Sequence, residues 1–119
     1  IRVATHDFKF TLTGPHMLSK VVIDRHYNDR EALADAFATI LAEQVSRLDA
    51  EVVQIDEANL PGHPEDIARA IERADKALGP GRVTYIHPDC GFSKLHRFTA
   101  DAKIRVLAKG RDLYEGGAR

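Results

Sequence analysis

Val83-Thr84-Tyr85-Ile86-His87-Pro88-Asp89-Cys90-Gly91-Phe92 is the stretch on which the fold turns. A β-branched and aromatic run that stops at a proline and a glycine reads as a buried strand ending in a loop. It sets a thiol, a carboxylate and an imidazole together at the strand's C-terminal end. A second run, Val52-Val53-Gln54-Ile55, ends in Asp56-Glu57. It is apolar except at Gln54, as a parallel strand covered by helices should be. In α/β folds the C-terminal ends of parallel strands converge on a common mouth, where ligands bind. Two such strands would deliver Cys90 and an acidic pair to one rim.

The rest of the chain supplies the helices between. Phe8-Lys9-Phe10-Thr11-Leu12-Thr13 alternates apolar and polar side chains before Gly14-Pro15, which predicts a strand followed by a turn. Met17 to Ile23 is apolar and fits a short helix or an irregular segment equally well. Asn28 or Asp29 then caps a helix predicted from about Arg30 to Leu48; Glu31 stands three residues after Asn28, the spacing of a capping box. Leu33, Phe37, Ile40, Leu41, Val45 and Leu48 form its apolar stripe. Pro64 suits the first position of a second helix, with Glu65 and Asp66 at the positive end of its dipole. Ile67, Ile71, Ala74 and Leu78 are its buried stripe, and Gly79-Pro80-Gly81 ends it. A third helix is expected from about Thr99 to Lys109, closed by Gly110. Alternation of strands and helices argues for parallel βαβ units.

Composition bounds the function. The chain has 119 residues, 44% hydrophobic and 29% charged, and a net charge of -1. That is the balance of one soluble globular domain. The charge is too small for a basic field that would hold a nucleic acid. No apolar stretch approaches the ~20 residues that span a bilayer. One cysteine cannot form an internal disulfide, so the expected compartment is a reducing cytoplasm.

Candidate chemistry gathers on few residues. Cys90 is either a small buried hydrophobe or a metal thiolate or nucleophile; Asp89, His87 and Gly91 are poor company for an apolar core. Asp56 and Glu57 could be solvated, could cap a helix, or could hold a substrate ammonium, bind a metal or act as a base. His16 follows a strand end and could reach the same mouth, and His63 precedes a helix. His6, His26 and His96 fall in polar segments. No pair has the spacing of a local metal motif, so any metal site must be assembled from distant segments. Ser19, Ser46 and Ser93 lack a nucleophile elbow, and no glycine-rich phosphate loop occurs.

Gln54-Ile55-Asp56-Glu57 followed by Pro88-Asp89-Cys90-Gly91-Phe92 resembles the C-terminal catalytic barrel of the cobalamin-independent methionine synthase family, within the uroporphyrinogen decarboxylase/methionine synthase-like superfamily. Thr13-Gly14-Pro15 before a capped helix and the closing helix after the cysteine loop are similar too. The resemblance implies a (β/α)8 TIM-barrel fold, a catalytic zinc, and methyl transfer from a methyltetrahydrofolate-type donor to the thiol of homocysteine. It makes Cys90 the last zinc ligand. It makes Asp56 the contact for the substrate amino acid, with Glu57 supporting it; both are carried as catalytic and substrate-binding residues, beside His16. Between the two motifs the family carries a His-x-Cys pair and a Glu as its other zinc ligands; no His-x-Cys occurs here, and His63, His87 or Glu57 would have to stand in. Ala58 replaces the family's Pro. A complete barrel takes ~250 residues, so residues 1–119 are expected to form a single catalytic domain that is a partial or shortened barrel, with segments missing. A relative that opens an epoxide with a thiol cofactor would use the same zinc-thiolate chemistry. A non-catalytic remnant that folds as a homo-oligomer is the other class of expectation, because a partial barrel exposes strand edges.

Overall fold

The computed structural model describes residues 6–58, 60, 62–88 and 92–116. Among them are two parallel strands and four α-helices. The chain divides by contacts into two compact units, one ending at Glu57 and one beginning at Ala58.

The first unit is built on β1 (Lys9–Thr13) and β2 (Val52–Asp56). They pair in parallel with Thr11 beside Gln54 and Thr13 beside Asp56. Side chains alternate across a strand. Phe10, Leu12, Val53 and Ile55 therefore share one face, while Lys9, Thr11, Thr13, Gln54 and Asp56 share the other. Between the strands run α1 (Pro15–Val21) and α2 (Arg30–Ser46). Gly14-Pro15 is not the expected turn. Gly14 is the N-cap of α1 and Pro15 its first residue, where a missing N–H costs nothing and a fixed φ suits the helix.

The link from α1 to α2 is tied by Asp24. Its carboxylate accepts the amides of His26 and Tyr27, both at 2.9 Å, and of Asp29 at 3.2 Å. The His26 amide is the first cause that holds this carboxyl below its usual pKa, with Tyr27, Asp29 and Asn28 adding to it. Asp29 caps α2, its side chain accepting from the amides of Glu31 and Ala32. The capping box expected from Asn28 does not form, because Asn28 takes a left-handed φ of 49° and turns the chain instead. α2 is buried at Ala34 and Ala38. The large stripe predicted for the helix is less covered, and Ile40 is 52% exposed. Small residues let α1 approach closely, and α1 with α2 is the main helix pair of this unit.

The second unit is a helix pair, α3 (Pro64–Leu78) and α4 (Arg97–Tyr114). α3 has the predicted bounds, and Ile67 and Ile71 are buried as expected. α4 overruns its expected bounds at both ends. Gly110 does not close it but lies buried inside it, against α3. A Cβ built at Gly110 would lie 2.5 Å from Ile67 Cβ and 3.0 Å from the Pro64 carbonyl oxygen. The glycine is there for close helix packing.

The run Val83–Ile86 forms no strand. It has no hydrogen-bonded partner strand among the described residues, and Tyr85 is 87% exposed. β-branched residues favour a strand only where a ladder and a covering layer are supplied. The turn before this run is nevertheless well held. Asp75 accepts the Gly81 amide and the Tyr114 hydroxyl, each at 2.8 Å, joining the end of α3 to the end of α4. A short 3-10 turn, Phe92–Lys94, precedes α4.

Candidate functional site

The strand ends of the first unit carry the acidic pair, and its two members are placed differently. Asp56 is exposed and closes β2. Gln54, two residues back on the same face, donates from Nε2 to Asp56 Oδ1 at 2.7 Å. Lys9 donates in turn from Nζ to Gln54 Oε1 at 2.6 Å. The lysine fixes which end of the Gln54 amide faces Asp56, since only the NH2 remains to be donated. Among the described residues Asp56 thus keeps one oxygen without a hydrogen-bond partner, and it has a defined orientation at the C-terminal end of a parallel strand.

Glu57 is half-buried and turned towards α1. Its Oε1 accepts the His16 amide at 2.9 Å and its Oε2 the Met17 amide at 2.8 Å. These are first-turn amides of α1, which the helix itself cannot satisfy. Of the readings open for Glu57 in the sequence, capping a helix is the one its geometry follows. The Asp56 carbonyl adds a third link by accepting the Gly14 amide at 2.9 Å. Gly14 makes the arrangement possible: a Cβ there would lie 2.5 Å from Glu57 Oε1 and 2.6 Å from Glu57 Cγ. His16 is buried, at 8% exposure, and Ser19 donates its hydroxyl to the His16 carbonyl at 2.8 Å. The structure therefore brings Gly14, His16, Asp56 and Glu57 together. Sequence reasoning missed Lys9 and Gln54 as neighbours of Asp56; their i, i+2 and cross-strand relation was readable once the register was known.

The other predicted ligands lie in the second unit or outside the described residues. His63 is the exposed N-cap residue of α3, and its side chain makes no capping bond. His87 is exposed, with Nδ1 3.2 Å from the Pro88 carbonyl oxygen. Asp89, Cys90 and Gly91 lie outside the described residues, and so does the expected meeting of Cys90 with the acidic pair. Among the described residues no group of three His, Cys, Asp or Glu is placed to hold a metal ion. Glu57, the stand-in ligand nearest the site, has an amide on each carboxylate oxygen. The described side chains do not by themselves constitute a zinc centre.

A cavity of about 390 Å³ lies between the end of α1 and the start of α2, lined in part by Ser19, Asp24, Asp29 and Arg30. Both acids there are engaged by backbone amides. Among the described residues no helix is long and apolar enough to cross a membrane.

Fold and site together define a small α/β protein with an acidic strand end, one carboxylate exposed and one committed to the backbone. Its sequence is similar to those of archaeal methionine synthases, among them the following three. That of Thermococcus kodakarensis is 29% identical over 80 residues, which is 65% of this chain and 24% of the relative. That of Thermoplasma volcanium is 28% identical over 80 residues, 59% of this chain and 23% of the relative. That of Pyrococcus horikoshii is 27% identical over 73 residues, 59% and 22% respectively. The chain spans about a quarter of the length of these curated relatives. No family model and no solved structure matches the sequence.

Proposed function

We propose that this chain is methionine synthase-like and takes part in methyl transfer to an amino-acid thiol, homocysteine being the acceptor and a methyltetrahydrofolate the donor. The single observation that carries this reading is the exposed Asp56 carboxylate at the end of a parallel strand. It is oriented by Gln54 and Lys9 and lies in a chain whose relatives bear that name. A carboxylate with a free oxygen suits a substrate ammonium: the pair is charge-assisted, and it fixes the thiol end of the same molecule by covalent reach. A (β/α)8 barrel belongs to the same proposal, with β1 and β2 as two of its strands.

Zinc enters the reading through Cys90 alone, the residue that the resemblance makes a ligand. When bound, zinc supplies a thiolate at neutral pH without loss of sulfur nucleophilicity. Its remaining donors are not found among the described residues. What the chain's own groups do is narrower. Asp56 holds and orients the acceptor, and Gln54 holds Asp56.

The test is metal analysis together with methyl transfer, on the wild type and on Cys90→Ser and Asp56→Asn. The reading expects stoichiometric zinc in the wild type that Cys90→Ser loses. It expects transfer that Asp56→Asn slows chiefly through a raised KM for homocysteine. A wild type that binds no zinc and transfers no methyl group refutes it.

A second reading has its own observation. Ile23, Tyr85 and Phe98 are each more than 80% exposed, at 83%, 87% and 81%. Large apolar side chains in water favour burial against another chain. This supports the non-catalytic, oligomerising module, which sedimentation of the purified chain distinguishes from a monomeric transferase.

A further inference from the structure

We infer that Glu57 is a positioning residue that never meets substrate, and that its grip on α1 is what sets the place of the Asp56 carboxylate. The part concerning Asp56 as a ligand-facing group rests on the proposed function; the part concerning position does not. Three bonds run from two consecutive residues to the β1–α1 junction: Glu57 Oε1 to the His16 amide, Glu57 Oε2 to the Met17 amide, and the Asp56 carbonyl to the Gly14 amide. Residues 56 and 57 are thereby clamped onto residues 14–17. Successive residues of an extended chain point to opposite sides. If Glu57 reaches α1, Asp56 is turned the other way, onto the face it shares with Gln54 and Lys9.

Both Glu57 oxygens are spent in this clamp, and Gly14 leaves the carboxylate no side chain to avoid. An oxygen of this carboxylate that swung away to an incoming ammonium would strand a part-buried amide, which is costly, so the group stays where the α1 amides hold it. The adjacent acids therefore divide the work. One is consumed in the frame and the other is left for chemistry.

The test is amide hydrogen exchange and side-chain NMR on the wild type, Glu57→Gln and Glu57→Ala, with the Ala38 amide in α2 as the reference for global unfolding. Glu57→Ala is expected to speed exchange at both His16 and Met17 by tenfold or more relative to Ala38. Glu57→Gln keeps the shape but offers one acceptor oxygen, so protection should return at one of the two amides and not the other. The Gln54 side-chain NH2 signals should shift in Glu57→Ala, because their acceptor has moved, and should return towards the wild type in Glu57→Gln. Unchanged exchange at His16 and Met17 in Glu57→Ala overturns the clamp. Lost protection with unmoved Gln54 signals makes Glu57 a helix cap only, and overturns its role in placing Asp56. Neither readout needs a methyl donor or an acceptor, so an inactive protein would count against the proposed function and leave this result standing.

Discussion

Replacing Gly110 by alanine should destabilise the second unit, although the same change in an exposed helix would stabilise it. Gly110 lies inside α4, and alanine is favoured over glycine in a helix by about 1 kcal/mol. Against that gain stands the space. The new methyl would lie 2.5 Å from Ile67 Cβ and 3.0 Å from the Pro64 carbonyl oxygen. Comfortable carbon–carbon separations are about 3.5–4.0 Å, so one helix must move by roughly 1 Å. A change of Ile67 rotamer cannot relieve the contact, because Cβ and a backbone oxygen are involved. Overpacking of this kind costs about 1–3 kcal/mol, and the backbone contact argues for the upper half. The net expectation is a loss of about 1–2 kcal/mol, read by urea denaturation as a lower midpoint at unchanged slope. Ile67→Ala should cost about 2–5 kcal/mol alone, and the double variant less than the sum, because the methyl added at Gly110 fills part of the space that the Ile67 Cγ2 leaves. A raised melting temperature in Gly110→Ala would refute the close approach of α3 and α4.

Other expectations follow from the same geometry. Asp29→Ala should cost about 1 kcal/mol by removing the cap of α2, whereas Asn28→Gly should cost little or nothing, because its φ of 49° suits glycine; thermal melts of the two separate the roles. Asp24 has a folded pKa below its ordinary value, so its contribution to stability is present above that ordinary value and is lost as pH falls through the folded one. An NMR titration of its carboxyl should give a midpoint under 3.8, and a midpoint at or above that would contradict the turn. The Tyr114 pKa is raised, first by its hydrogen bond to Asp75 and then by burial. That support is present below the ordinary tyrosine value near 10 and is lost as pH rises through the folded value. Tyr114→Phe should remove that part of the alkaline loss of stability, which pH-dependent melts of the two proteins would show as a smaller fall above the ordinary tyrosine range.

The elements that sequence reading placed well are those whose signals are local. Pro64, with Glu65 and Asp66 behind it and Gly79 beyond, bounds α3 without help from the rest of the chain. Lys9–Thr13 and Val52–Asp56 show the alternation or the apolar run of a strand, and the two pair with each other. What failed depends on partners. Val83–Ile86 has strand composition, but composition supplies no neighbouring ladder. Gly110 has a helix-ending residue type, and only the approach of Ile67 shows that it is there for packing. Asn28 and Asp29 are both good caps, and the left-handed turn at Asn28 decides between them. At the site, the acidic pair was legible as a pair. Its division into an engaged and an open carboxylate was not, because that depends on where the α1 amides lie.

The most direct measurement is an NMR titration with homocysteine and with its analogue lacking the amino group. The account predicts that homocysteine shifts the Gln54 side-chain amide and binds at least about tenfold more tightly than the analogue, a difference of about 1.4 kcal/mol, and that Asp56→Asn erases this preference while Glu57→Gln largely keeps it. Equal affinity for the two thiols, or a preference that survives Asp56→Asn, would contradict it.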